Sequence, residues 1–323
     1  KLLVLMDGRS VYTPLFSGVF WNAQDYLLED LDRIEVISGP GGTLWGANAV
    51  NGVINITSKN ARDTQGTYVE AAAGSELQSV SGARYGGTLG PHAFFRVYGK
   101  YQSHDAGVLP GGAAADDGWR QGQAGFRIDA APTDDNSATL QGDFYSGAEH
   151  LQGLGLARIA GGNMLGHWTH RFGGDSDLTA KVYYDRTHLS DPFGATVFQP
   201  AGLLVDDLDT YDADLQHRFW AGETHQIVWG AGFRLTADRI RQEAPNFGFD
   251  PPHLTQRLYS GFLQDEIQAS PTVHLTVGSK LEHNDYTGWE VEPNLRARWE
   301  PTGQQTFWAA VSRAVRTPSR LDR

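Results

Sequence analysis

Residues 37–43 read Ile-Ser-Gly-Pro-Gly-Gly-Thr, the composition of a loop whose backbone N–H groups could cradle phosphate oxygens. The spacing fails both tests for that chemistry. Gly39-x-Gly41-x-x-Leu44 lacks the third glycine of a dinucleotide fingerprint, and no Gly-Lys-Ser/Thr follows. HExxH, GxSxG and CxxC are absent, which removes the common hydrolase and thiolate-metal signatures. His167 and His170 stand three apart in an alternating segment, so they point to opposite faces and do not share a metal. No catalytic residue and no metal ligand is expected. What remains is contact chemistry: Tyr12, Phe16, Phe20 and Trp21 crowd an uncharged loop over residues 11–21. Such rings can stack on a bulky, flat ligand or pack into a core, and composition leaves both readings open.

The elements around that loop are short and mixed. Leu2 to Met6 is an apolar run ending at the turn signal Asp7-Gly8. Tyr26, Leu27, Leu28 and Leu31 fall at helical spacing and predict one or two helical turns over residues 25–31. Residues 33–37 and 53–57 predict strands, and Ser38-Gly39-Pro40-Gly41-Gly42 between them a turn, since glycine accepts φ > 0 and proline cannot donate to a ladder.

From about Thr67 the pattern becomes period two and stays so. Ile227, Trp229, Ala231, Phe233 and Leu235 share one face; Gln226, Gly230, Arg234, Thr236 and Asp238 share the other, with Val228 its one apolar member. Leu215 alternates with Asp214 and Gln216, and Leu275 and Val277 with His274, Thr276 and, further on, Lys280. A soluble sandwich would bury the apolar face; a membrane barrel would show it to lipid and line its lumen with the polar one. Connection lengths separate the two. Short turns near residues 90–92, 132–137, 173–177, 221–224, 270–272 and 301–305 alternate with longer links over 104–118, 147–162, 190–206 and 242–255, only 74–78 and 286–291 being brief in the long series. Tight turns on one rim and long loops on the other are the habit of outer-membrane barrels, at about ten residues per strand. Trp168, Trp220, Trp229, Trp289, Trp299 and Trp308 then read as an interfacial girdle.

Composition agrees. No stretch approaches the about 20 apolar residues of a membrane helix, yet an alternating barrel keeps a polar average, as the negative mean hydropathy shows. The net charge of −12 argues against a nucleic-acid partner. Acid groups such as Asp116–Asp117, Asp134–Asp135 and Asp206 to Asp214 read as solvated loops and a wet lumen. Cysteine is absent, which excludes a disulfide framework.

Residues 3–9 (Leu-Val-Leu-Met-Asp-Gly-Arg), 31–40 (Leu-Asp-Arg-Ile-Glu-Val-Ile-Ser-Gly-Pro) and 44–56 (Leu-Trp-Gly-Ala-Asn-Ala-Val-Asn-Gly-Val-Ile-Asn-Ile) together resemble the plug of TonB-dependent outer-membrane receptors, with Trp45 where tyrosine is commoner. Residues 259–266 and 313–319 are similar to barrel segments of the same family. The resemblance implies an all-β membrane β-barrel, an antiparallel meander of about thirteen of about 22 strands, with a small α+β plug domain at the N-terminus: plug over 1–62, barrel over 63–323. The strand count, odd and low for a closed barrel, reads as a fragment cut at both ends.

The plug motif residues would be Asp7, Gly8, Arg33, Glu35, Gly39, Pro40, Trp45, Gly46 and Gly52, with Arg33 and Glu35 either cross-linking plug to wall or forming an exposed strand pair. Ligand contacts would come from Tyr12, Phe16, Phe20 and Trp21. The implied function is active uptake, without cofactor, of a scarce large ligand: an iron–siderophore complex, or else a corrinoid, copper chelate or oligosaccharide. A monomer in the lipid of the bacterial outer membrane would be energised by a TonB-type coupling protein acting through a segment before Lys1. A passive porin would lack residues 1–66, and a β-sandwich enzyme would need a nucleophile or metal cluster.

Overall fold

The computed structural model describes residues 2–173, 175–195, 200–242 and 248–322. Their larger part is one 13-stranded antiparallel sheet in strict chain order. Its strands are β7 (Gly66–Ala72), β8 (Leu77–Thr88), β9 (Ala93–His104), β10 (Trp119–Thr133), β11 (Asn136–Leu151), β12 (Gly155–Phe172), β13 (Ser176–Phe193), β14 (Gly202–Ala221), β15 (His225–Gln242), β16 (His253–Ser270), β17 (Val273–Asn284), β18 (Gly288–Thr302) and β19 (Gln305–Ser312). β7 and β19 are its two edges, so the sheet is open. Before it comes a four-stranded sheet ordered β2 (Arg9–Ser10), β1 (Leu2–Met6), β6 (Gly52–Ser58), β5 (Leu31–Ser38), in which β1 and β6 run parallel. A hairpin of β3 (Tyr12–Thr13) and β4 (Gly18–Val19) and a single helical turn α1 (Gly42–Trp45) complete this small domain.

The count of thirteen holds; the expected strand length does not. Strands of the large sheet reach sixteen residues in β11 and twenty in β14, well beyond a span of about ten. The cause is visible at residues 147–162, expected as a long link. There β11 and β12 continue their ladder up to Leu151↔Gly155, and residues 152–154 suffice to turn the chain. The pair simply projects past the membrane band. The links at 190–206 and 242–255 are likewise shortened by strand extension, to the stretches between Phe193 and Gly202 and between Gln242 and His253, parts of which lie outside the described residues. All of these, with 105–118, emerge on one rim, as a meander requires.

The helix expected over 25–31 is reduced to one 3₁₀ turn at Leu28–Asp30, whose Asp30 pairs with Arg84 of the wall and which leads directly into β5 at Leu31. The alternation orients the wall as its chemistry demands. Trp229, Phe233, Leu215 and Val277 are 37–46% exposed on the outer face, and Leu275 shares their parity. Arg234, Asp214, Gln216 and Lys280 take the lumen parity, Arg234 donating to Asp212 at 2.8 Å and Lys181 reaching Asp214 at 2.9 Å. Of the six tryptophans, Trp168, Trp229, Trp289 and Trp299 face outward, while Trp220 pairs with Gln226 and Trp308 with Arg298 on the lumen parity. The girdle expected of all six therefore holds for four.

The larger apolar cluster lies between domain and wall. Leu15 and Ala23 of the small domain pack on Tyr145, Ile159, Leu189 and Ile240 of β11, β12, β13 and β15, all on lumen parity. A second cluster, Leu3, Ala49 and Val53 with Trp45 and Tyr12 against it, lies within the small domain.

Candidate functional site

The turn Asp7-Gly8 shows how the sequence places its charges. Both residues hold positive φ, 50° and 79°, which turns β1 back into β2 and aims two acceptors at the wall. Asp7 accepts from the Ser58 amide at 2.7 Å, the Ser58 hydroxyl at 2.8 Å and Gln141 Nε2 at 2.8 Å. The Gly8 carbonyl accepts from Lys181 Nζ at 2.6 Å. Arg9 follows, buried, in an ion pair with Asp185 and a 3.2 Å hydrogen bond to Tyr26 Oη. Burial works against the Arg9 charge, but Asp185 and the other nearby oxygens outweigh it, and its pKa is raised. Tyr26 donates to Asp143 at 2.8 Å; burial first and that carboxylate second push its phenol well above its ordinary value, which keeps it a donor.

The same pattern continues around the wall. Asp30 pairs with Arg84 and, at 3.5 Å, Arg96. Asp25 accepts from Lys100 at 2.5 Å and Gln102 at 2.7 Å. The Ala61 amide reaches Asp129 at 2.7 Å. Contacts from β8 to β13 therefore tie the small domain to the wall. Replacing one partner of such a buried pair leaves an uncompensated charge.

The glycine-rich segment docks on the opposite flank. Gly39 and Gly46 hold φ of 93° and 78°, and Gly52 lies so close to β5 that a Cβ would sit 2.2 Å from the Ile37 carbonyl. The Gly41 amide donates to Ala49 at 2.9 Å, closing the turn after Pro40 and carrying α1 onto β17 and β18. There Glu282 and Glu292 are almost wholly buried. Glu282 accepts from the Ala47 amide at 3.2 Å, and Thr43 donates to the Glu292 carbonyl at 3.0 Å. A Cβ on Gly46 would stand 2.2 Å from Glu282 Oε1.

Arg33 and Glu35 do not join this network. Arg33 pairs with Asp32 at 2.8 Å and Glu35 at 3.4 Å, Asn55 donates to Glu35 at 2.8 Å, and the side chains of both are about half exposed on edge strand β5. They form the exposed strand pair, not a cross-link to the wall.

The aromatic loop splits. Tyr12 is half-buried among the Leu3, Ala49 and Val53 cluster, its hydroxyl 3.2 Å from Asn48 Oδ1. Phe16 lies exposed at the tip of the β3–β4 hairpin and meets Phe20 edge-on at 5.0 Å. Phe20 and exposed Trp21 line a cavity of about 470 Å³ between small domain and wall. Its wall side carries Gln102, Trp119, Gln121, Glu149 and Asp191, from the ends of β9, β10, β11 and β13 that lead to the long links. Trp119 stacks on His104 at 4.1 Å at the same rim. Sequence reasoning missed these wall residues. Their signal was lumen parity at the long-link end of a strand, which needs a register to read.

A membrane β-wall whose polar face is filled by a separately folded plug, with a vestibule at the long-link rim, defines a plugged outer-membrane receptor. The family model for the TonB dependent receptor-like β-barrel matches residues 42–322, that for the TonB-dependent receptor plug domain matches residues 1–53, and the chain belongs to the TonB-dependent receptor family. Among curated relatives, the ferric enterobactin receptor of Pseudomonas aeruginosa is 24% identical over 98% of this chain and 51% of its own. The vitamin B12 transporter BtuB of Vibrio vulnificus is 44% identical over 78 residues, 24% of this chain and 12% of its own. The crystal structure of the siderophore receptor PirA from Acinetobacter baumannii superposes with a TM-score of 0.79 at 17% identity, covering 98% of this chain and 54% of that one. The chain spans about half the length of the relatives it matches end to end.

Proposed function

We propose that this chain forms part of a receptor for active uptake of a scarce, large ligand, a ferric siderophore, captured in the vestibule between Phe20–Trp21 of the plug and the Trp119 rim of the wall. The observation that carries the proposal is that cavity: roomy, open at the long-link rim, lined by rings and amides, and floored by a plug that a passive pore would not need. The names of the relatives that align over the whole chain, siderophore receptors, support iron as cargo. Rings at Phe20, Trp21 and Trp119 offer flat apolar contact, and Gln102 and Gln121 offer donors and acceptors, a combination suited to a bulky chelate.

Energy would reach the plug from a TonB-type coupling protein, and the Asp7, Arg9, Asp25 and Asp30 contacts are the ones that plug movement must break. Corrinoid uptake is the second reading, favoured by the stretch similar to the vitamin B12 transporter. Iron-55 uptake by cells supplied with ferric siderophores of each chelate class, against labelled cobalamin, tests the choice. Loss of iron uptake when the gene is deleted is expected; loss of cobalamin uptake alone would replace the first reading with the second.

A further inference from the structure

The vestibule has a charge as well as a shape. Glu149 stands directly across the ladder from Trp119, so a carboxylate and an indole share the lumen parity at one rim. Glu149 and Asp191 both line the cavity, and neither carboxylate makes an ion pair among the described residues. Asp25 lines it too, already engaged by Lys100 at 2.5 Å and Gln102 at 2.7 Å. Arg120 and Arg158 also border the cavity. In the ladder Arg120 pairs with Ala148 and Ala148 with Arg158, on the parity opposite to Glu149, which turns both guanidinium groups to the outer face. The imidazoles at this rim are occupied, His104 stacked on Trp119 and His150 3.5 Å from Asp116.

The surroundings keep the same sign. Residues 20–25 of the plug read Phe-Trp-Asn-Ala-Gln-Asp, without a cation. The connections on the vestibule rim, 73–76, 105–118, 152–154, 194–201, 243–252 and 285–287, include Glu76, Asp105, Asp116, Asp117 and Asp285 but not one lysine or arginine. A cleft lined by one sign of charge focuses its field and concentrates ions of the other sign. Rings add to the preference. Phe20, Trp21 and Trp119 line the space beside the two carboxylates, and an ammonium group over such ring faces gains cation–π attraction. Gln121 is 5% exposed, lines the cavity and leaves Nε2 without a hydrogen-bond partner. A buried donor left open toward a cavity suits a carbonyl brought by a ligand.

Ferric chelates differ in charge. Three catecholates bring six negative charges to the three positive charges of iron and leave a trianion. Three hydroxamates balance the metal, and a protonated amine on their backbone leaves one positive charge. We propose that the vestibule selects by charge: it takes ferric hydroxamate-type chelates that carry a protonated amine and disfavours anionic catecholate ones, with Glu149, Asp191 and the rings of Trp21 and Trp119 receiving the ammonium. The proposal rests on the iron-uptake reading above and narrows its ligand. The bulk of the chelate would lie on Phe20, with the Gln121 amide donating to a hydroxamate or amide carbonyl.

The test uses the full receptor, extracted from outer membranes into neutral detergent, with binding read from quenching of its tryptophan fluorescence. The probes are a linear ferric tris-hydroxamate with a terminal amine, the same chelate acetylated at that amine, and a ferric tris-catecholate. The amine form is expected to bind at least about tenfold tighter than the acetylated form, which differs from it by one charge. That ratio should shrink when salt is raised to about 0.5 M. In Glu149→Gln/Asp191→Asn it should fall to about twofold or less, while affinity for the acetylated chelate changes little, an outcome that a loss of folding does not imitate. If that variant fails to assemble, the two hydroxamate forms on the unaltered receptor still decide. Equal affinity for the amine and acetylated forms, a ratio unchanged in the double variant, or tightest binding of the catecholate would each overturn the charge proposal and leave the uptake reading standing. Binding of none of the three chelates would overturn that reading and the proposal with it.

Discussion

Tyr12 and Trp21 belong to the same aromatic loop, yet one faces inward and the other the vestibule. Tyr12→Ala is expected to cost about 2–4 kcal/mol of plug stability by opening a cavity beside Leu3 and Val53. Trp21→Ala should leave stability within about 0.5 kcal/mol, as for exposed positions generally, while weakening binding of a ferric siderophore. Urea titration of plug proteolysis and a ligand fluorescence-quenching assay measure the two effects. The reverse pattern would make Tyr12 the contact residue and Trp21 the packing one. At Gly46 backbone and neighbour act together: with φ at 78° and Glu282 Oε1 in the place of a Cβ, Gly46→Ala should lower plug stability by at least about 1 kcal/mol. Adding Glu282→Ala should relieve the clash but not the φ strain, so partial recovery is the expected result in the same titration. These glycines were legible as turn residues from the chain alone. That one of them lies against a buried carboxylate more than two hundred residues away was not, because nothing local encodes it.

At the scale of elements, the wall is read by parity. Leu215 and Gln216 are neighbours on β14 facing lipid and lumen. Leu215→Arg should cost about 2–4 kcal/mol in a lipid-exposed position near mid-band, and Gln216→Arg should cost little. Folding titrations into lipid vesicles compare them, and equal penalties would contradict the facing. Between elements, the Arg9–Asp185 pair ties β2 to β13. Arg9→Ala would strand a shielded carboxylate, with an expected loss of about 3–5 kcal/mol in plug docking, seen as release of the plug to trypsin at lower urea. Asp185→Asn with Arg9→Gln should recover part of it, since hydrogen bonding then replaces charge. The parity of β14, β15 and β17 followed from alternation alone. It failed for Trp220 and Trp308, where a bulky ring near a strand end carries no facing information without the register.

For the whole molecule, the meander gives two chemically different rims. An epitope placed in residues 105–118 should be reached by antibody on intact cells, and one in 222–224 only after the outer membrane is opened. Labelling of the second site on intact cells would invert the assignment and move the vestibule to the wrong side of the membrane. The plug's polar contacts also make a collective forecast. Because the ion pairs of Asp25, Asp30 and Arg9 are spread over β8, β9 and β13, no single substitution is expected to free the plug, whereas replacing two of them should add more than their separate losses if they break together.

Local patterning was enough to determine the number of wall strands, their facing, the small domain ahead of them and the turns at Asp7-Gly8 and Gly39 to Gly42. Each of these depends on residues within one turn or one alternation, whose free energy is decided by near neighbours and solvent. Strand ends were misread near 147–162, since Gly, Leu and Gln look the same in a loop and in a ladder that rises beyond the membrane. Pairing across distance decided the rest. The partners of Asp7, Arg9 and Gly46 and the inward turn of Tyr12 all arise when separate strands fall into register. A carboxylate's burial and a ring's surroundings are properties of that register, which no stretch of the chain carries by itself.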